Sequence, residues 1–268
     1  MKTRPLSIYG IGNPLIDIVI QATDDDLNAL NLDKGVMHLV DEIRQKEIIN
    51  YFKNCNTKYF PGGSAPNTML ACAGLGTTSL IAGKIGQDEF GDIYLRQAEK
   101  FGVLSGLVQG CGPTGSSIIL VTSDGERTMN THLGICREFS ENDVDAGKLS
   151  QSTFFYFTGY MWDTESQKAA IKKAISIAKE NNVQIVFDVA DPFAVDRNKD
   201  EFLIMIEQDV DIVFANYAEI ANLFDSKNVD SSADEVMTIV HRAVIKLAEQ
   251  GSLVLDDGKK HHLPPQPI

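Results

Sequence analysis

The sequence predicts an α/β fold built around a largely parallel sheet, and three observations carry that prediction. From Phe154 onward, short apolar runs alternate with helical stretches, the rhythm of right-handed βαβ units. The middle of the chain breaks this rhythm. There, β-like runs flank Ser123-Asp124-Gly125-Glu126, and Asp-Gly is a strong hairpin signal. Finally, 268 residues that are 43% hydrophobic suffice for one sizeable core, and no linker, repeat or low-complexity segment divides them. The expectation is a single α/β domain over 1–268 with a small β-rich insertion.

The elements follow in order. Ser7–Gly12 is a short apolar run ending in glycine, a strand, and Ile16–Gln21 continues extended. Asp24-Asp25-Asp26 opens a short helix with its acids at the positive end. Gly35–Val40 reads as a strand. Asp41 caps a helix to about Asn54, with Ile43, Ile48, Ile49 and Phe52 at helical spacing. Met69–Leu75 reads as helix, Thr78–Ala82 as strand and Glu89–Phe101 as helix. Leu107–Gln109, Ser116–Thr122 and Arg127–Thr131 are β-like. Then come strand Phe154–Thr158, helix Ser166–Asn181, strand Val183–Val189, helix Glu201–Glu207, strand Asp211–Ala215 and helix Tyr217–Phe224.

Composition narrows the function classes. A formal net charge of −13 argues against nucleic acid as a partner, because phosphate backbones call for basic patches. No run of eighteen apolar residues is present to span a membrane, and no secretory leader is visible after Met1-Lys2-Thr3-Arg4-Pro5. Cys55, Cys72, Cys111 and Cys136 are widely spaced, which suggests neither a zinc site nor a disulfide framework. A reducing cytoplasm is the expected setting, with Cys72 a small buried hydrophobe.

Several short motifs carry chemistry. Pro61-Gly62-Gly63-Ser64-Ala65-Pro66-Asn67-Thr68 leads straight into a helix. Paired glycines let main-chain N–H groups approach a ligand, although such a turn also serves as a plain tight connection. Ser64 or Asn67 is placed to cap the helix. Asp17 follows a strand end, where open α/β sheets bind ligands. Its carboxylate can accept hydrogen bonds from vicinal hydroxyls or stand as an exposed loop acid. Asn216 and Glu219, three apart at a strand-to-helix junction, can meet a phosphate and order water around magnesium; the same spacing is that of a capping box. Arg127, on the returning arm of the hairpin, can swing onto a transferring phosphoryl group or remain solvated. Trp162 reads as core or substrate wall. The histidines, His261-His262 included, show no ligand spacing.

In order along the chain, Gly12-Asn13-Pro14-Leu15-Ile16-Asp17, the Gly62-Gly63 run, Gly83-Lys84-Ile85-Gly86-Gln87-Asp88-Glu89-Phe90-Gly91 and Asn216-Tyr217-Ala218-Glu219 resemble the ribokinase-like, phosphofructokinase-B type carbohydrate kinases. That family phosphorylates hydroxymethyl groups of sugars and nucleosides with ATP. Thr128-Met129-Asn130-Thr131 and Val189-Ala190-Asp191-Pro192-Phe193 look most like its adenosine kinase branch. The resemblance covers nearly the whole chain. It implies a ribokinase-like parallel-sheet sandwich whose insertion is a lid, built from about 17–40 and 107–134. It also implies substrate contacts from Asn13, Asp17, Gly62, Gly63 and Asn67, ATP contacts from Asn216 and Gly251, magnesium at Glu219, and a catalytic role for Arg127. Partners so implied are a nucleoside, with adenosine ahead of a ribose-like or ketose sugar, and a possible second subunit through the lid.

The family pattern is not matched everywhere. Where its Thr-Leu-Gly turn near ATP is expected, this chain has Lys246-Leu247-Ala248. Its Asp-Thr-x-Gly-Ala-Gly-Asp segment, which supplies the phosphate-binding N–H groups and the general base, does not occur within 1–268. The helices that would cover one sheet face and wall the adenine pocket are likewise expected to be absent. Two readings therefore stand: a kinase whose catalytic base is missing from these residues, or a non-catalytic binding protein on the same fold.

Overall fold

The computed structural model describes residues 4–265. Its first half runs Leu6–Ile11 (β1), Leu15–Gln21 (β2), Asp24–Ala29 (α1), Met37–Leu39 (β3), Glu42–Tyr51 (α2), Lys58–Gly62 (β4), Ser64–Gly74 (α3), Ser79–Gly86 (β5), Glu89–Lys100 (α4), Leu104–Gly110 (β6), Gly115–Val121 (β7) and Arg127–His132 (β8). The second half runs Ala146–Ser150 (α5), Ser152–Thr158 (β9), Glu165–Glu180 (α6), Gln184–Asp188 (β10), Pro192–Asp209 (α7), Ile212–Asn216 (β11), Tyr217–Phe224 (α8), Val229–Ile239 (α9), Arg242–Lys246 (β12), Ser252–Asp256 (β13) and Lys259–Leu263 (β14).

Nine strands form the main sheet in the order β14-β13-β12-β11-β10-β9-β1-β5-β6. Seven of them, from β12 to β6, are parallel; β13 and β14 close the sheet as an antiparallel hairpin. The alternating pattern of the later strands decides which face is dry. Phe155, Phe157, Ile185, Phe187, Val213, Ala215, Ala243 and Ile245 point one way into the core under α5 to α9. Phe187 and Phe202 meet edge to face at 5.1 Å, a preferred aromatic geometry. On the other face α3 covers Tyr156 and Val186, while Phe154, Ile212 and Phe214 are only partly buried.

Five strands form the second sheet in the order β3-β8-β7-β2-β4. Ile16, Ile18, Ile20, Ile118 and Leu120 point outward from it into a small core with α1, α2 and α4. The opposite face, carrying Asp17, Ser117 and Ile119, turns toward the main sheet. The chain passes between the sheets through short links at 12–14, 63, 111–114 and 133–134.

This second sheet is the expected lid, with different bounds. Leu107–Gly110 belongs to β6 of the main sheet, and β4, outside the two expected segments, pairs with β2 (Asp17 opposite Phe60). The Asp124-Gly125 hairpin forms as read, closed by Thr122 and Glu126. Helix α3 starts at Ser64, not Met69. Its N-cap is Gly63 and no side chain caps it, so neither Ser64 nor Asn67 plays that part. Helix α7 begins at Pro192, because Asp191 caps it through the Phe193 N–H; the break at Asn198 hid its first turns from a periodicity reading. Helix α9, rich in Ser and Asp, was not foreseen. Cys72 is half-buried, and Trp162 is core, donating to Glu201 at 2.8 Å. Among the described residues, no helix is long and apolar enough to cross a membrane.

Candidate active site

A crevice of about 1000 Å³ opens between the carboxyl ends of the main-sheet strands and the inward face of the lid, the usual ligand position in an open α/β sheet. Asn13, Asp17, Gly63, Asn67, Arg127 and Asn216 all line it. Six of the residues singled out from sequence thus converge from separated segments. Gly62, Glu219 and Gly251 do not line it.

Asp17 sits mid-strand in β2, and its carboxylate lies against Gly62. A Cβ at position 62 would overlap that carboxyl group. Gly62 therefore leaves room for the acid. Gly63 has φ +101, and a Cβ there would overlap the Asn13 carbonyl oxygen. Both glycines are demanded by close approach. Burial raises the Asp17 pKa to about 6, and the neighbouring Arg127 guanidinium opposes that rise. Arg127 is otherwise exposed at the hairpin base.

Asn13 follows β1 and is 8% exposed. Its Oδ1 accepts from Gln167 Nε2 at 2.8 Å. Gln167 gave no signal in the sequence: it falls at the start of the helix read from Ser166, which in fact begins at Glu165 with Thr164 as its N-cap.

Across the crevice, Tyr160 donates to Asp191 Oδ2 at 3.0 Å and Arg197 pairs with Asp163 at 2.8 Å. Ala190 is held at φ +74 immediately before Asp191, a strained conformation of the kind that gathers at functional sites. Phe193 projects beside them, 67% exposed. The lid offers Met37, Leu39, Ile119 and Met129 opposite. The mouth is thus apolar on two sides and polar at its base.

The Asn216–Glu219 pair forms a complete capping box. Asn216 Oδ1 accepts the Glu219 N–H, and the Glu219 carboxylate accepts from the Asn216 N–H and Nδ2, both at 2.7 Å. Glu219 is 2% exposed, and burial raises its pKa. No group of three or more metal-ligating side chains is assembled among the described residues. Lys246, beside Asn216 in register, contacts both Asp188 oxygens at 3.3 and 3.4 Å. Ala248 takes φ +50, at the position where the resemblance implied glycine. Gly251 takes φ +89 in the turn into β13, against Leu263.

This geometry agrees with similarity to known proteins. The pattern of the pfkB family of carbohydrate kinases matches residues 40–268. The adenosine kinase of Sinorhizobium meliloti superposes with a TM-score of 0.89 at 32% identity, covering 98% of this chain and 81% of that one. A probable sugar kinase from Rhizobium etli superposes at 0.92 with 30% identity, covering 99% and 81%. The Saccharomyces cerevisiae adenosine kinase is 28% identical over 250 residues, 90% of this chain and 72% of that protein. A carbohydrate or nucleoside kinase fold, with its ligand crevice under a β-lid, is what the elements define. The chain belongs to the pfkB family, on its adenosine-kinase-like branch.

Proposed function

We propose that this protein binds a nucleoside, adenosine ahead of a sugar, and presents its hydroxymethyl group to the γ-phosphoryl group of ATP with magnesium. The observation that carries this reading is the half-buried Asp17 carboxylate at the base of a crevice whose mouth is walled by Phe193, Met37 and Met129. A charged acceptor suits vicinal hydroxyls. An exposed aromatic facing flexible thioethers suits a flat base. Asn216 lines the crevice and would meet the triphosphate, and Arg127 would neutralise the transferring group; Glu219, buried and held at both oxygens by Asn216, would have to leave its capping box before it could order water around magnesium. Binding is tested by calorimetry with adenosine, ribose and fructose. Adenosine binding at least tenfold tighter than either sugar is expected; equal affinities would refute the nucleoside preference.

Transfer also needs a base at the acceptor hydroxyl. Asp163 is engaged by Arg197, Asp191 by Tyr160 and the helix cap, and Asp17 by its proposed hydroxyls. The 268-residue polypeptide is therefore expected to bind nucleoside without ATP-dependent phosphorylation. Robust turnover by it in a coupled assay would mean that one of these carboxylates is the base after all.

Binding should depend on pH. Two hydroxyls can donate to the charged carboxylate, whereas the protonated acid keeps only a weaker, neutral carbonyl acceptor, and the Asp17 pKa is about 6. Affinity should be flat above pH 7 and fall about tenfold per unit below 6. A flat profile down to pH 5 would remove Asp17 from the contact. Nucleoside should also slow amide exchange in 115–132, because the lid must settle over the ligand to exclude water. Unchanged protection at saturating ligand would rule out closure.

A further inference from the structure

We propose that Gln167 is a positioning residue that makes Asn13 an obligate hydrogen-bond donor to the ligand. The inference rests on the nucleoside-binding reading above, and adds to it the polarity the site demands.

Gln167 sits in the first turn of α6, fully buried. After a Thr N-cap, a Gln at this position commonly reaches back to the cap N–H. Here its backbone N–H donates to Thr164 Oγ1 and its side-chain Oε1 accepts from the same hydroxyl, both at 3.2 Å, while Nε2 turns inward. Gln167 Nε2 donates to the Cys136 carbonyl oxygen at 3.0 Å and to Asn13 Oδ1 at 2.8 Å. A backbone carbonyl can only accept, so the Cys136 oxygen fixes which end of the Gln167 amide is nitrogen. That nitrogen can only donate, so the Asn13 atom facing it must be oxygen. Two successive constraints, beginning at a rigid main-chain group, thereby set the Asn13 amide.

Its remaining half is Nδ2. Asn13 lines the crevice, and among the described residues Asn13 Nδ2 has no hydrogen-bond partner. Among the described residues, Asn130 Oδ1 is the one side-chain N or O atom both buried and unpartnered, so Asn13 Nδ2 is not sealed off and faces open space. The crevice therefore offers a fixed donor on Asn13, at the end of β1, and a fixed acceptor on Asp17, in β2. A pair of neighbouring hydroxyls satisfies both: one oxygen accepts from Asn13 while a hydroxyl hydrogen goes to Asp17. A ligand presenting only donors would leave Asn13 unmatched, and that mismatch supplies discrimination.

The test compares wild type, Gln167→Met and Asn13→Asp. Gln167→Met keeps the length and bulk of the side chain and removes both donors. Calorimetry with adenosine, 2′-deoxyadenosine and 3′-deoxyadenosine should show wild type losing tenfold or more for the analogue that lacks the hydroxyl facing Asn13. In Gln167→Met that ratio should shrink below about threefold, with the melting temperature changed by only a few degrees. A purely structural role predicts instead that Gln167→Met weakens all three nucleosides by one factor, which would overturn the proposal. A ligand-free readout separates the two hypotheses. The Asn13 side-chain amide pair, assigned by its loss in Asn13→Asp, should shift and broaden in the ¹⁵N-resolved spectrum of Gln167→Met, as the amide becomes free to turn over. An unchanged pair overturns the positioning role whatever binds. If the pair responds but no nucleoside binds wild type, the nucleoside reading fails and the positioning role stands.

Discussion

Asp17→Asn should weaken nucleoside binding by about 2–4 kcal/mol, because a charged acceptor shared between two hydroxyl donors becomes a neutral amide that matches only one. That corresponds to roughly 30- to 1000-fold in Kd. The same substitution should stabilise the free protein at neutral pH. The folded-state pKa of about 6 lies above the ordinary 3.8, so the folded chain binds a proton more readily than the unfolded one. Stability from this group is full below pH 4 and is lost as pH rises through 6. At pH 7.5 the buried carboxylate thus costs on the order of 1–3 kcal/mol, which the amide avoids. Weaker binding together with a higher melting temperature at pH 7.5, and converging melting temperatures at pH 4.5, is the expected result. Calorimetry and thermal melts at the two pH values measure it. Unchanged affinity would mean that the ligand does not touch Asp17, and a lowered melting temperature that its burial does not oppose folding.

Gly63→Ala is expected to be the most damaging single-methyl change in the site. A left-handed backbone is unfavourable for alanine by about 1 kcal/mol or more, and the new Cβ would overlap the Asn13 carbonyl oxygen, a backbone atom that cannot rotate away. Overpacking of that kind adds about 1–3 kcal/mol. A total of roughly 3 kcal/mol should lower the melting temperature by about 6–12 °C for a protein of this size. Gly76→Ala is the control. It shares a positive φ, +85, but has nothing within 4 Å, so only the backbone cost remains. Similar melting temperatures for the two variants would show that Asn13 and the Gly62-Gly63 turn do not pack as described.

The parts of this protein legible in its sequence are those where one local signal settles the matter. Asp41 caps its helix where expected, and the Asp124-Gly125 turn makes its hairpin. The apolar runs of β9 to β11 become buried parallel strands. What escaped depends on pairing or on competing uses of one residue. Lys58–Gly62 holds an unfavourable proline, yet becomes an edge strand because β2 offers its ladder. Phe193 escaped as a site residue because helix α7 was read from Glu201, nine positions after its start at Pro192. Gln167 escaped because nothing local marks a first-turn glutamine as the partner of Asn13, 154 positions away. Six expected contacts do face the crevice, Gly62 leaves room for the Asp17 carboxylate, and Asn216 and Glu219 first of all satisfy each other.

The three-residue link Gly12-Asn13-Pro14 joins a strand of one sheet to a strand of the other. Asn13 therefore rides with the main sheet and Asp17 with the lid, although only four positions separate them. A molecule that grips both works as a caliper, reading the angle between two bodies as well as its own shape. One that grips only Asn13 or only Asp17 can lodge in the crevice and leave the jaws where they were. Under the proposed lid closure, tight binding and productive closure would be separable quantities. The second is set by how far apart two hydroxyls are held, so that small, rigid diols of the wrong spacing should occupy the site as silent blockers.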